Sequence, residues 1–139
     1  MSTESDRALW VGLTVLGVAL AINSLIGPLA ADVVEYPISE TLVNQTIGLD
    51  AVSLVVVAPW SVAAAFAVRR GHPAGPVLAI PPAAYTAYMF AQYVVGPTYL
   101  EYPAVMPFHL GIFVLGWVLI LLAWRRIDVA ELPRVGERR

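Results

Sequence analysis

The stretch ALWVGLTVLGVALAINSLIGPLAA, residues 8–31, contains no charged residue, and its length decides the fold class. A hydrocarbon layer about 30 Å thick is crossed by roughly 20 residues of helix, so this segment can span a bilayer. Three further runs repeat the pattern. Residues 50–68 end at the Arg69-Arg70 pair, residues 76–95 follow a short polar turn, and residues 107–124 stop at Arg125 and Arg126. The composition agrees, since 59% of the 139 residues are hydrophobic and 13% are charged, against about 45–50% apolar usage in soluble domains. A water-soluble chain of this size buries only about two-thirds of its surface and could not hide so much apolar area. The expected fold is an all-α integral membrane protein. It is one domain, an antiparallel bundle of four transmembrane helices with a tail at 125–139. Residues 8–31 read as a cleaved signal peptide would place processing at Leu29-Ala30-Ala31. That reading conflicts with an n-region holding Glu4 and Asp6 beside Arg7, and with an apolar run longer than the usual 7–15-residue core.

Charge placement sets the orientation. All eight basic residues are arginines: Arg7, Arg69, Arg70, Arg125, Arg126, Arg134, Arg138 and Arg139. They fall in the N-terminal tail, the RRGHPAG turn at 69–75 and the C-terminal tail. The segments 32–49 and 96–106 contain none, and carry Asp32, Glu35, Glu40 and Glu101 instead. Arginine accumulates on the cytoplasmic side of short loops, so the reading is N-in and C-in, in the cell membrane. Trp10 and Trp124 then sit at the inner interface, and Tyr36, Tyr93, Tyr99 and Tyr102 at the outer one. No basic stripe suited to nucleic acid is present. With no cysteine in the chain, disulfides, thiol catalysis and iron–sulfur ligation are excluded.

Proline occurs where helices are expected: Pro28, Pro59, and Pro81-Pro82. Membrane helices tolerate proline when neighbouring groups satisfy the freed carbonyls. Pro76 suits a first helical turn, so Pro81-Pro82 should bend the third span rather than begin it. Ala83, Ala87 and Ala91 recur every fourth position, which permits close helix contact.

Polar residues within membrane spans are costly and mark sites by default. Here they gather toward the outer ends: Asn23 and Ser24 on the first span, Asp50 and Ser53 on the second, Tyr85, Tyr88 and Gln92 on the third, His109 on the fourth. Asp50 could bind a cation or shuttle a proton; the plainer reading is a helix N-cap. Ser53 has the alternative of bonding its own backbone. His109 could titrate near neutrality or simply bond a loop carbonyl. Tyr85, Tyr88 and Gln92, at spacings of three and four, could wall a small polar or quinone-like ligand or bond between helices. Trp60 and Trp117 read as packing. Asn44-Gln45-Thr46 matches a glycosylation sequon on an outer loop. A Ser53–His109–Asp50 relay is awkward, because its serine and aspartate share one helix turn. His72 and His109 fall at opposite faces, so they cannot share a metal or a haem.

The layout resembles an uncharacterised family of small four-span prokaryotic membrane proteins. The resemblance rests on Gly48-x-Asp50, Pro59, the Arg-Arg-Gly turn at 69–71, and Tyr85-x-x-Tyr88 leading to Gly96, over roughly residues 46–122. It implies the four-span topology and brings no activity. The sequence carries no phosphate-binding loop, HExxH or GxSxG, which points away from an enzyme and implies no cofactor or metal. The expected function is a membrane module whose outer-leaflet pocket binds a small ligand, lipid or ion through Asn23, Asp50, Ser53, Tyr85, Tyr88, Gln92 and His109, or which assists a partner protein. The alternatives are an oligomeric small transporter or channel, and then a membrane-embedded enzyme. Expected partners are the bilayer, a second copy or a membrane partner, and no nucleic acid.

Overall fold

A computed structural model describes residues 4–27, 29–30, 40–95 and 105–132. The described residues form helices and no strand. Helix α1 is Glu4–Ile26, α2 is Glu40–Val52, α3 is Ala58–Arg69, α4 is Gly75–Val95 and α5 is Met106–Trp124. A π-turn, Ser53–Val57, joins α2 to α3 without a break, so the described residues form four helical rods. Three of these, Glu4–Ile26, Val43–Arg69 and Met106–Trp124, are long and apolar enough to cross a membrane. Helix α4 is comparable in length, but its prolines, tyrosines and Gln92 make it less apolar. Pro28, Asp32, Glu35, Tyr36, Tyr99, Glu101 and Tyr102 lie outside the described residues.

The second rod starts earlier than the sequence suggested. The expected loop at 32–49 is helical from Glu40 onward, with that carboxylate in the first turn, where it complements the helix dipole. Asp50 therefore lies about three turns inside a helix and caps nothing. Asn44-Gln45-Thr46 is likewise helical, with Thr46 buried, so it is not a sequon on a loop.

Pro59 explains the π-turn. Its ring clashes with the carbonyl four residues back and offers no N–H to it. Just before it, the Ala58 N–H reaches five residues back to the Ser53 carbonyl, and the widened turn makes room for the ring. Pro81 and Pro82 lie inside α4, which continues through both and does not begin at them. Pro82 cannot serve the carbonyl of Leu78. The Trp60 indole Nε1 of α3 donates to that carbonyl instead, at 3.0 Å, and the Thr86 hydroxyl donates to the Pro82 carbonyl at 2.7 Å. Trp60, read as packing, repairs the backbone of its neighbour.

Packing is closest where side chains are smallest. Helix α4 makes its most extensive contact with α5, and α1 with α3. A Cβ added at Gly116 would meet the Ala83 carbonyl oxygen and the Ala87 nitrogen, both at 3.1 Å. Across α1 and α3, Gly17 lies against Ala58 and Ser61, and the Ser61 hydroxyl donates to the Leu13 carbonyl at 2.8 Å. Leu9, Leu13, Leu16, Leu20, Phe90, Ile112 and Leu119 fill the core. The outward faces carry Val18, Val55, Phe66, Trp117 and Leu121, a surface suited to lipid.

The turn between α3 and α4 is locally complete. Gly71 takes φ 69°, the left-handed conformation glycine adopts freely. Its N–H bonds the Val68 carbonyl at 2.9 Å, and the His72 N–H bonds that of Ala67 at 3.0 Å, the Schellman arrangement. At this end Asp6 of α1 forms an ion pair with Arg126 beyond α5, and the Arg69 guanidinium lies 5.3 Å from the Trp10 ring centroid.

The Trp60–Leu78 bond can be isolated by a double-mutant cycle. Trp60→Phe is expected to cost about 0.5–2 kcal/mol, the range for one interhelical hydrogen bond in a membrane protein. In a Pro82→Ala background the restored amide can serve Leu78, and the cost should fall toward zero. Detergent unfolding of the four variants measures this; equal costs in both backgrounds would show that the indole does nothing for that carbonyl.

Candidate functional site

At the end of the helices away from the arginines, polar side chains from all four rods turn inward. Asn23 of α1, Asp50 of α2, Ser53 of the π-turn and His109 of α5 are buried, and Tyr85 of α4 is half-buried. His109 is 1% exposed, and its Nε2 lies 2.9 Å from Asn23 Oδ1. An amide oxygen only accepts, so Nε2–H is the donor. The rings of Tyr93 and Phe90 flank the imidazole, with centroids at 4.8 and 5.4 Å. The Tyr85 hydroxyl donates to the Leu49 carbonyl at 3.3 Å. That leaves Ser53 Oγ, 3.1 Å away, to donate to the tyrosine oxygen. The π-turn thus holds the serine and tyrosine on each other.

Asp50 differs from its neighbours. It is 2% exposed, yet none of the hydrogen bonds that tie the cluster together ends on its carboxylate. Its Oδ2 lies 2.7 Å from the point a Gly27 Cβ would occupy, and the Asn23 carbonyl oxygen lies 3.2 Å from the same point. Gly27 thus brings the Asp50 carboxylate against α1, one turn from Asn23, whose amide meets His109. Ser24, on the next residue of α1, is fully buried with its hydroxyl unpartnered.

Two expected members lie elsewhere. Tyr88 is 69% exposed and Gln92 is exposed, both on the outward face of α4. The inward face of α4 is formed by Ala79, Pro82, Ala83, Thr86, Ala87 and Phe90. Helices pack closest through small residues, and that preference overrode the drive to bury polar ones. Tyr85 sits at the boundary. Its ring, with Val52, Val56, Trp60 and Pro81, lines an apolar cleft of about 250 Å³ between the second rod and α4.

Ser53 takes Tyr85 as its partner and His109 takes Asn23, so the serine–histidine–aspartate relay is not assembled. Among the described residues no three His, Asp or Glu side chains gather as metal ligands. Sequence reasoning missed Gly27, whose only signal is its place one turn after Asn23, and Thr46, hidden by the misread loop. It also missed that Ser61 and Thr86 serve backbone carbonyls.

Gly27→Ala is expected to displace the Asp50 carboxylate and cost about 1–3 kcal/mol, as overpacking does. In an Asp50→Ala background most of that clash is gone, and the same substitution should be nearly neutral. Thermal unfolding of the four proteins decides it, an undiminished cost arguing that the carboxylate does not occupy this space.

The chain matches no protein family, and comparisons with curated proteins and with solved structures give no match.

Proposed function

We propose that this chain is a multi-pass protein of the cell membrane whose buried cluster binds a small cation or proton-donating ligand through Asp50. One observation carries the reading: a carboxylate, 2% exposed, stands in a polar cluster none of whose hydrogen bonds ends on it. A charge buried without a partner costs several kcal/mol, whereas a bound cation or proton removes that cost. Asn23 with His109 and Ser53 with Tyr85 are mutually occupied, so Asp50 and Ser24 Oγ are the groups left to receive a ligand. Tyr88 and Gln92, outside the cluster, have no part in it.

Four spans, antiparallel and with both termini cytoplasmic, are part of the same proposal. Helix α4, at 21 residues, reaches about 30 Å despite its lower hydropathy. The pairing of Asp6 with Arg126 and the stacking of Arg69 on Trp10 support a shared end for α1, α3 and α5. Arginine enrichment at that end supports its cytoplasmic placement. A second reading, an oligomeric transporter or channel, draws support from exposed Tyr88 and Gln92, which a neighbouring copy could cover.

The cation reading is tested by thermal unfolding in detergent with Na⁺, K⁺, Mg²⁺, Ca²⁺ and methylammonium. A ligand at a hundredfold excess over its Kd should stabilise the protein by about 2.7 kcal/mol, and Asp50→Asn, nearly isosteric, should abolish the effect. No stabilisation by any of these, or equal stabilisation of the variant, would sink it. Topology is accessible because the chain lacks cysteine. An impermeant maleimide applied to intact cells should label Thr41→Cys and spare His72→Cys. Reversed labelling would overturn the orientation, and failure of Gln92→Cys to crosslink between copies would count against the oligomer.

A further inference from the structure

The arginine-rich end holds a second site, independent of Asp50. Beside the last two turns of α3, an open cavity of about 470 Å³ is walled by Ala63, Phe66 and Ala67 and rimmed by Arg70, His72 and Pro73. The wall is the outward apolar face of α3. The rim is the turn that closes the helix.

The charges at this end are segregated. Asp6, Asp128 and Glu131 line a different, smaller cavity of about 110 Å³ against the same turn, together with Arg126, which pairs with Asp6. No carboxylate lines the larger cavity, and Arg70 forms no ion pair among the described residues. The carbonyls of Ala67 and Val68 at the end of α3 are already taken by the His72 and Gly71 N–H groups, so arginine rather than the helix terminus dominates the local potential.

Arg70 is also held in place. Its guanidinium lies 4.0 Å from the Phe66 ring centroid. A guanidinium attracted to a ring keeps its charge, and its fork of N–H donors matches phosphate oxygens. Arg69, one residue earlier, is turned away over Trp10. The cavity thus offers a fixed, unpaired phosphate donor at the head of an apolar groove.

We propose that this cavity binds one anionic phospholipid, its phosphate on Arg70 and an acyl chain along Phe66, Ala63 and Ala67. A soluble phosphate would use the rim and leave the apolar wall bare, so the structure favours the lipid. Basic pockets beside helices at the membrane interface suit anionic headgroups.

The test is native mass spectrometry of the detergent-purified full chain titrated with phosphatidylglycerol or phosphatidylcholine. The wild type should retain one phosphatidylglycerol in preference to phosphatidylcholine. Arg70→Gln should weaken that retention about fivefold, the worth of one arginine near an anionic surface. Arg125→Gln, which removes an exposed arginine at the same end but outside the cavity, should leave it unchanged. Circular dichroism of each variant verifies the fold, and Arg70→Lys, which keeps charge but loses the planar fork, should fall between. Equal retention of the two lipids, or equal losses for the Arg70 and Arg125 variants, would overturn the site. Displacement of the lipid by millimolar glycerol phosphate would overturn the choice of a lipid over a soluble phosphate.

Discussion

In an apolar medium each backbone N–H and C=O must find its partner within the protein, because no water is there to take it. The helices of this chain, three of them long and apolar enough to cross a membrane, are built to meet that constraint. Pro59, Pro81 and Pro82 each remove a donor from a helix. Around Pro59 the helix widens into a π-turn, with the Ala58 N–H reaching the Ser53 carbonyl. Around Pro82 the repair comes from outside the helix, the Trp60 indole donating to Leu78. Two prolines in different helices are thereby coupled, since Trp60 directly follows Pro59. The Ser61 and Thr86 hydroxyls also donate hydrogen bonds to backbone carbonyls, those of Leu13 and Pro82.

The polar cluster inherits its geometry from these repairs. The π-turn shifts the register of the second rod and leaves Ser53 facing Tyr85, whose hydroxyl spans to the Leu49 carbonyl. Gly27 has no side chain, and that absence lets the Asp50 carboxylate lie against α1. His109 and Asn23 satisfy each other. The same accounting stops short at Asp50, which none of these bonds reaches, and at Ser24, whose buried hydroxyl is unpartnered.

The two ends of the molecule therefore have different chemistry. One holds buried neutral pairs around a carboxylate. The other holds exposed arginines that lie over aromatic rings, Arg69 over Trp10 and Arg70 over Phe66. A stacked guanidinium is oriented without being neutralised, so charge and position are kept together.

The sequence by itself determined that the chain is helical, that long uncharged runs could cross a membrane, and that charge and polarity segregate to opposite ends. Each of these depends on composition along the chain, which hydropathy reads directly. Asp50 and His109 were also legible as inward residues, because a titratable group in an apolar run has few alternatives. Only the tertiary structure decided that Asp50 stands within a helix rather than at its cap. The run Glu40–Thr46, mostly polar, looks like a loop by composition, yet it is helical and buries Thr46. Tertiary structure also turned Tyr88 and Gln92 outward, because the small-residue face of α4 fits Gly116 of α5 more closely than a tyrosine could. It likewise paired Trp60 with Leu78 and His109 with Asn23, contacts between residues far apart in sequence. Periodicity fixes which residues share a face of one helix; which face meets which neighbour is set by how closely two backbones can approach.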